Sequence, residues 1–298
     1  MRIGILAFSE PKFARYTFIE EIAEAVEKKG HEAVRLYTPN LSFLRLNGKL
    51  EILHDQEPLG EVDVIIARPN FLQEPGLHAY PTQLLEHAGY KVINSWPCYG
   101  LAKNKIDQHV RSLTDGLAMP KWAIAKNTKE ILINAEKIGF PIVLKVPTGS
   151  FGRGVFYADS KETLRPIADY LTARNPIPII LEEFIGEADR KDIRIFIVDG
   201  KIIAAMERSA PEGDIRTNTS NGGVGTKAEL SEEEKDLALR AAKQYKLEIA
   251  GIDLMRSDKG PVLIEVNANP GFEELQKTTD TDIAGTIADY AIGVAKQS

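Results

Sequence analysis

Three side chains with oxygen donors lie in two apolar segments near the end of the chain. Asp253 interrupts the run GIDLM, and Glu265 and Asn267 lie within PVLIEVNANPG. Because side chains alternate along a strand, Glu265, Asn267 and Asn269 are expected on one face. The other face is predicted to carry Val262, Ile264 and Val266. Oxygen donors without a soft ligand suit Mg²⁺, whereas a solvated edge strand with local hydrogen bonds is the alternative.

A lysine followed by glycines forms a second candidate site. In KVPTGSFGRGV, Lys145 lies in an apolar strand and is followed by Gly149, Gly152 and Gly154. Glycines let backbone N–H groups approach an anion closely, although such a loop is also typical of a hairpin. A buried ammonium needs an anionic partner, which favours phosphate binding. The chain contains neither G-x-x-x-x-G-K-[ST] nor a strand-to-helix G-x-G-x-x-G, so P-loop and Rossmann nucleotide sites are unsupported.

Arginines are the third chemical feature. Arg194, Arg208 and Arg216 lie in DIRIF, MERSA and DIRTN. Guanidinium groups bind phosphate and carboxylate oxygens in a bidentate manner, although each arginine is also compatible with a surface ion pair. Together with the lysine, the glycine loop and the oxygen donors, they indicate ATP binding.

Composition limits the class of protein. The chain has 298 residues, 43% of them hydrophobic and 27% charged, which predicts a globular protein of about two domains. A net charge of -6 argues against nucleic acid. Cys98 is the only cysteine and the five histidines lack zinc-ligand spacing, so disulfide and zinc chemistry are disfavoured. No apolar run resembles a signal peptide or a membrane span, so we expect a cytoplasmic protein without a membrane partner.

Strand and helix patterns alternate along the chain. Strands are predicted at 2–8, 32–37 and 62–68, with a helix over 17–29 and a hairpin at Asn47-Gly48. Helical patterns cover 81–90 and the residues before Gly116. Further strands are predicted in PIVLKV, PIIL, DIRIFIVDGKIIAAMER, IAGIDLM and PVLIEVN. Ser231 and Glu234 form a capping-box signature for a helix to Lys246, the polar stretch 209–229 predicts a substrate loop, and a last helix is predicted from Thr281.

These segments in this order resemble the ATP-grasp superfamily, and in particular its RimK-type glutamate ligases. The resemblance is carried by AKNKIDQ, PIVLKVPTGSFGRGV, IILEEFI, DIRIFIV, MERSAPEGDIRTNTSNGG, AGIDLM, LIEVNANPGFEELQKTT and TDIAG. It implies an α/β (α+β) fold with a Rossmann-like domain over 1–94. Two antiparallel-sheet subdomains that sandwich ATP would follow, a lid over 95–186 and a metal-binding subdomain over 187–298.

The resemblance also implies roles for individual residues. Binding of ATP phosphates is implied for Lys105 and Lys145, with a flap formed by Gly149, Ser150, Gly152 and Gly154. The adenine and ribose segment would be Glu182, Glu183, Phe184 and Ile185, with Asp192 on the ribose side. The γ-phosphate and the acyl substrate would face Arg208, Arg216 and Asn218, joined by Arg194. Two Mg²⁺ ions, replaceable by Mn²⁺, would be bound by Asp253, Glu265 and Asn267.

The implied reaction is the ATP-dependent addition of L-glutamate to a carboxyl group, expected at the C-terminus of a protein or peptide, by a homo-oligomer, typically a tetramer. The absence of a Cys-His or Ser-His-Asp arrangement agrees with a reaction that needs no protein nucleophile. Three alternatives remain open: a ligase for a small cofactor or biosynthetic intermediate, a phosphotransferase, and an ATP-binding regulator without catalysis. The phosphotransferase is disfavoured because kinase catalytic-loop and D-F-G motifs are missing.

Overall fold

A parallel sheet opens the chain. The computed structural model describes residues 1–8, 18–68, 79–147, 154–173, 177–211 and 224–297. The first sheet has the order β2-β1-β6-β7 with every pair parallel, and a small antiparallel sheet, β3-β4-β5, follows β2. The strands are β1 (Arg2–Ala7), β2 (Glu32–Tyr37), β3 (Leu41–Leu46), β4 (Lys49–His54), β5 (Glu57–Pro58), β6 (Val64–Arg68) and β7 (Val92–Ile93). The helices are α1 (Phe18–Lys28) and α2 (Tyr80–His87).

Two helices then lead into an antiparallel middle sheet of order β10-β9-β11-β8. The helices are α3 (Trp96–Lys103) and α4 (Lys105–Asp115). The sheet and the two helices that cover it are β8 (Trp122–Ala125), α5 (Thr128–Ile138), β9 (Ile142–Lys145), β10 (Val155–Ala158), α6 (Lys161–Ala173) and β11 (Ile179–Glu183). Gly116 ends α4 in the left-handed conformation, with φ of 61°, which a residue without Cβ adopts easily.

The last sheet is antiparallel and has the order β14-β13-β12-β15-β16. Its elements are β12 (Lys191–Val198), β13 (Lys201–Ser209), β14 (Val224–Lys227), α7 (Glu232–Gln244), β15 (Ile249–Ser257), β16 (Gly260–Asn267), α8 (Glu273–Thr279) and α9 (Ile283–Ala295). Ser231 caps α7 and forms the predicted capping box with Glu234. One face of this sheet packs on α7, and the opposite face carries the charged residues described below.

The first and last sheets share a hydrophobic core, whereas the middle sheet has a separate one. Ile3 and Ile5 of β1 share a hydrophobic cluster with Phe196 of β12 and Ile287 of α9, so the first and last sheets are packed together. The middle sheet has its own cluster, which includes Leu144, Leu181 and residues of α5 and α6. In the described part of the chain, none of the helices combines the length and hydrophobicity that crossing a bilayer requires.

The predicted strands and the predicted hairpin at Asn47-Gly48 are confirmed, and β12 and β13 form a second hairpin that turns at Asp199-Gly200. The strict alternation predicted for β16 is wrong. Asp253 pairs with Glu265 but Leu254 pairs with Leu263, so Ile264 is an extra residue in a β-bulge. In consequence Val262 and Ile264 contact Ile185, whereas Val266 packs in the main core.

Candidate active site

The predicted metal ligands lie side by side on the last sheet. Asp253 on β15 is directly opposite Glu265 on β16, and Asn267 pairs with Gly251 two residues along. Directly opposite residues of an antiparallel pair have neighbouring side chains on the same face. Gly251 is required here because a Cβ at this position would lie 2.6 Å from Pro270. The two carboxylates and the amide therefore share one face of the sheet.

Asp253 is bound by two arginines of the same sheet. Arg194 donates from Nε and Nη2 to the two oxygens of Asp253, the second bond measuring 2.7 Å, and Arg208 Nη2 lies 3.1 Å from Oδ2. Burial alone would raise the pKa of Asp253, but the two guanidinium groups hold it below its usual range. The carboxylate is therefore ionised, as a metal ligand must be.

Arg208 also binds Asp192, the residue predicted on the ribose side. Its Nε and Nη2 donate to the two Asp192 oxygens at 2.7 and 2.6 Å. Burial would lower the pKa of the Arg208 guanidinium, but Asp253 and Asp192 raise it. The structure thus brings Asp192, Arg194, Arg208 and Asp253 into one buried network in which charge is balanced.

The Lys105 side chain links helix α4 to the sheet face that carries Asp253, Glu265 and Asn267. Its Nζ donates to Glu265 Oε1 at 2.7 Å. Burial would raise the pKa of Glu265, but Lys105 lowers it below the usual range. The backbone N–H of Lys105 donates to the Pro147 carbonyl at 3.1 Å, and Asn104 caps the helix by accepting from Ile106. The start of α4, which carries the positive end of the helix dipole, therefore lies beside the loop that follows β9.

Lys145 and Glu182 form a second ion pair, between β9 and β11. Lys145 Nζ lies 2.5 Å from Glu182 Oε2, and His109 Nε2 lies 3.0 Å from the other oxygen, Oε1. Burial would raise the pKa of Glu182, but Lys145 and His109 lower it to about 2. The two lysines predicted to bind phosphate are therefore both present in the site, each paired with a carboxylate.

The predicted adenine segment runs from the end of β11 beside β16. Glu183 Oε1 accepts from Lys121 Nζ at 2.7 Å, and the ring of Phe184 packs edge-on against Tyr157 at 5.2 Å. Ile185 is buried with Val262 and Ile264. The segment thus offers apolar side chains from two different sheets, as a planar aromatic ligand requires.

The flap is described only at its end. Gly154 has φ of 80°, and a Cβ there would overlap the Val146 side chain. Its carbonyl accepts from Val146 N at 3.0 Å, so a glycine is required for both space and conformation. Five other predicted site residues lie outside the described residues, and their roles stay predictions: Gly149, Ser150, Gly152, Arg216 and Asn218.

Comparison with known proteins agrees with this geometry. The RimK-like ATP-grasp domain family matches residues 101–291, which is more than half of the chain. A probable alpha-L-glutamate ligase of Maridesulfovibrio salexigens is 33% identical over 296 residues, covering 97% of this chain and 95% of that protein. A protein of the same name from Aliivibrio fischeri is 31% identical over 295 residues with the same coverage. The chain belongs to the RimK-like ATP-grasp family.

A solved structure supports the fold. The ATP-grasp ligase PsnB, complexed with a phosphomimetic variant of its minimal precursor, Mg and ADP, is 19% identical with a TM-score of 0.76 over 98% of each chain. The expected fold, a parallel first sheet followed by two antiparallel sheets, is confirmed. As a member of this family, the chain is an ATP-dependent ligase that forms amide bonds.

The residues of this ATP-grasp site fit a magnesium ion. Asp253 and Glu265 supply adjacent oxygen donors, and Asn267 adds an amide oxygen from the same face. Among the described residues, no group of three Asp, Glu, His or Cys side chains could hold a metal, so the protein ligands would be two carboxylates and one amide. That set is typical of Mg²⁺, whose remaining ligands are phosphate oxygens and water.

Several residues of the ATP-grasp site were missed by sequence reasoning. Gln108 exchanges two hydrogen bonds with the backbone of Val266, donating to its carbonyl at 3.0 Å and accepting from its N–H at 2.9 Å. His109 follows Gln108, and its Nε2 lies 3.0 Å from Glu182 Oε1 on β11. The signal for His109 was its position four residues after Lys105, on the same face of a predicted helix.

Two further buried cations were also missed. Burial lowers the pKa of Lys103 to about 8, although Glu265 partly offsets this effect. Arg68, at the end of β6, donates from Nη2 to the Pro270 carbonyl at 2.6 Å and lies over the Phe18 ring at 4.7 Å. Within the described residues neither side chain forms an ion pair, so the site carries positive charge suited to anionic substrates.

Proposed function

We propose that this ligase activates a carboxyl group with ATP and joins it to L-glutamate, and that the acceptor is the C-terminal carboxylate of a peptide or protein. The observation that carries the proposal is the pairing of four cationic side chains with three carboxylates: Lys105 pairs with Glu265, Lys145 with Glu182, and Arg194 and Arg208 with Asp253. The naming of its full-length relatives as probable alpha-L-glutamate ligases supports the donor. The precursor bound to PsnB supports a peptide acceptor.

The reaction needs charge neutralisation more than it needs a protein nucleophile. The acceptor carboxylate attacks the γ-phosphorus of ATP, the new O–P bond forms, and ADP leaves with the electrons of the broken bond. The amine of glutamate, having lost a proton, then attacks the acyl carbon, and inorganic phosphate leaves as the amide forms. Lys105, Lys145 and Arg208 are placed to stabilise negative charge on the transferring group and on the tetrahedral oxyanion.

The metal and the nucleotide have proposed positions in the same network. Two Mg²⁺ ions, or Mn²⁺ in their place, would be held by Asp253, Glu265 and Asn267. When bound, they would act as Lewis acids toward the phosphate oxygens. Adenine would lie between the Phe184-Ile185 segment and β16, with the ribose beside Asp192. Lys105 and Lys145, which pair with Glu265 and Glu182 in this structure, would then pair with the phosphates.

A non-catalytic ATP-binding regulator is disfavoured because each metal and phosphate position in the described residues is occupied by a competent side chain. A phosphotransferase is disfavoured by family membership. A ligase for a small acceptor differs from the proposal only in the acceptor, so the experiment below separates the two.

The test is magnesium-dependent ADP release from ATP with L-glutamate and one acceptor at a time, with products analysed by mass. A peptide ending in glutamate should gain the residue mass of glutamate in one or more steps. Asp253→Asn should reduce turnover at least about 100-fold, because a metal ligand is lost. Glu207→Gln is the matched control, since Glu207 lies in the same sheet and, within the described residues, forms its ion pairs with Lys191 and Arg256. ADP release with small acceptors and none with peptides would refute the proposed acceptor.

A further inference from the structure

His109 is buried between two oxygen atoms that accept hydrogen bonds. Its ring is 2% exposed. Nδ1 lies 2.6 Å from the backbone carbonyl of Lys105, and Nε2 lies 3.0 Å from Glu182 Oε1. A carbonyl oxygen can only accept, and Glu182 is ionised because the Lys145 ammonium, 2.5 Å from its other oxygen, lowers its pKa. Both ring nitrogens of His109 therefore face acceptors.

This geometry determines the protonation state of the ring. A neutral imidazole has one N–H donor and one nitrogen lone pair. In either neutral tautomer, one lone pair would point at an oxygen lone pair in a buried site, where an unmade hydrogen bond is costly. Only the imidazolium donates at both nitrogens.

Among the described residues that pack around His109, one is an anion. From β11, Glu182 is the carboxylate in contact, and from β9, Lys145 approaches the other oxygen of that carboxylate. From β8, the uncharged ring of Trp122 packs edge-on at 5.2 Å. On α4 itself, Lys105 offers its carbonyl, while its ammonium binds Glu265 of β16. Among the described residues, Glu182 thus lies between two cations, Lys145 and the His109 imidazolium.

Nucleotide binding is expected to change the contacts of Glu182, the carboxylate that Lys145 and His109 share. If Lys145 moves its ammonium to a phosphate of ATP, Glu182 loses a partner at a buried position. An uncompensated buried carboxylate is strongly unfavourable. The His109 imidazolium continues to pair with Glu182 and so lowers the cost of releasing Lys145. A neutral ring carries no charge to balance the carboxylate, and in either tautomer it leaves a lone pair facing Glu182 or the Lys105 carbonyl.

We propose that His109 is a positioning residue that is held as an imidazolium and keeps Glu182 paired while Lys145 binds phosphate. The inference rests on the part of the proposed function that assigns ATP phosphates to Lys105 and Lys145. It does not depend on glutamate or on the acceptor.

The protonation state can be observed directly by ¹⁵N NMR of protein labelled at its histidine rings, with the spectrum of His109→Gln used for assignment. At pH 7 both His109 ring nitrogens should appear as N–H. A single protonated nitrogen at pH 7 would overturn the inference, whatever the activity of the enzyme.

The functional consequence is measured as ADP affinity with Mg²⁺ by calorimetry at pH 7. His109→Gln cannot carry the charge, so its affinity should be about tenfold lower than that of the wild type, because a charged hydrogen bond to Glu182 is lost. His87→Gln is the matched control, since His87 is exposed at the end of α2, and it should follow the wild type.

A second variant keeps the test decisive if His109→Gln is unstable. Glu182→Gln removes the buried charge and offers an amide N–H to a neutral ring, so the ¹⁵N spectrum of this variant should show one protonated His109 nitrogen in place of two. Equal ADP affinity in wild type and His109→Gln, or an unchanged His109 spectrum in Glu182→Gln, would overturn the role of His109 and leave the proposed function intact. A wild-type protein that binds no nucleotide at any pH would overturn the proposed function, and with it the role of His109 in binding.

Discussion

At the scale of single residues, the site consists of cations and anions that neutralise each other until substrates arrive. Lys105 donates a hydrogen bond to an oxygen of Glu265 that is proposed to bind metal. Arg194 and Arg208 likewise contact the oxygens of Asp253. A metal ion must compete with these cations when no phosphate is present to attract them. Metal and nucleotide are therefore expected to bind cooperatively, since each removes a competitor of the other.

Replacing Lys105 tests this competition. In Lys105→Met, Glu265 loses its cationic partner, so nucleotide-free Mn²⁺ affinity should rise about tenfold, because a like charge near the metal is removed. ADP affinity should fall in the same variant. Free Mn²⁺ is measured by electron paramagnetic resonance. Lys191→Met is the control, since Lys191 pairs with Glu207 outside the site. An unchanged or lower Mn²⁺ affinity in Lys105→Met would show that the pair does not compete with the metal.

At the scale of elements, α4 connects the two antiparallel sheets. Lys105 and Gln108 bind β16, while His109 binds β11. The three residues lie within five positions, so a short helix fixes the separation of the two lysines that are proposed to bind phosphate. Sequence reasoning predicted the helix and Lys105, but the pairing of Lys105 with Glu265 spans 160 residues, and a strand pattern contains no information about such partners.

The elements that sequence reasoning missed have local explanations. Helix α6 contains Pro166, and proline inside a pattern argues against a helix. Helix α8 has only seven residues, too few for a clear 3.6-residue period. Strand β14 is four residues long and mostly exposed. The bulge at Ile264 had no signal, because an inserted residue leaves the composition of a strand unchanged.

Asn94 offers a test of how the first and last sheets are joined. It follows β7, is 1% exposed, and donates to the carbonyls of Ile249 and Ala268 at 2.7 and 2.9 Å. It also accepts from the N–H groups of Glu248 and Ile249 at 2.8 and 2.9 Å. Asn94→Ala leaves these buried backbone groups unpaired, so we expect a loss of about 4 kcal/mol in the free energy of unfolding, measured by urea denaturation.

The control for Asn94 is another asparagine whose side chain binds backbone. Asn127 caps α5 by accepting from Glu130 N at 3.0 Å at an exposed position, so Asn127→Ala should cost about 1 kcal/mol. Equal losses in the two variants would mean that Asn94 contributes no more than an ordinary helix cap, and that the sheets are joined by apolar packing alone.

At the scale of the whole molecule, the division into segments 1–94, 95–186 and 187–298 stays a proposal. The first and last sheets share hydrophobic clusters, while the middle sheet has its own. Between these bodies lie Glu182, Asp253 and Glu265, whose pKa values are all held below the usual range. The stability of the whole chain should therefore depend on pH in the acid range.

The lowered pKa of Glu182 predicts the direction and the pH range in which the free energy of unfolding changes. Its pKa is lowered from 4.5 to about 2 in the folded protein, so the unfolded chain takes up the proton first, and the stabilisation is complete above about pH 4.5 and lost as the pH falls toward 2. The amount is on the order of 3 kcal/mol. The free energies of unfolding of wild type and Glu182→Gln, measured with urea, should differ by an amount that decreases between pH 5 and 3. Glu136→Gln removes an exposed ion pair with Lys161 and should show little change. If the free energies of unfolding of wild type and Glu182→Gln differ by a constant amount over this range, Glu182 is not the carboxylate that links folding to acid pH.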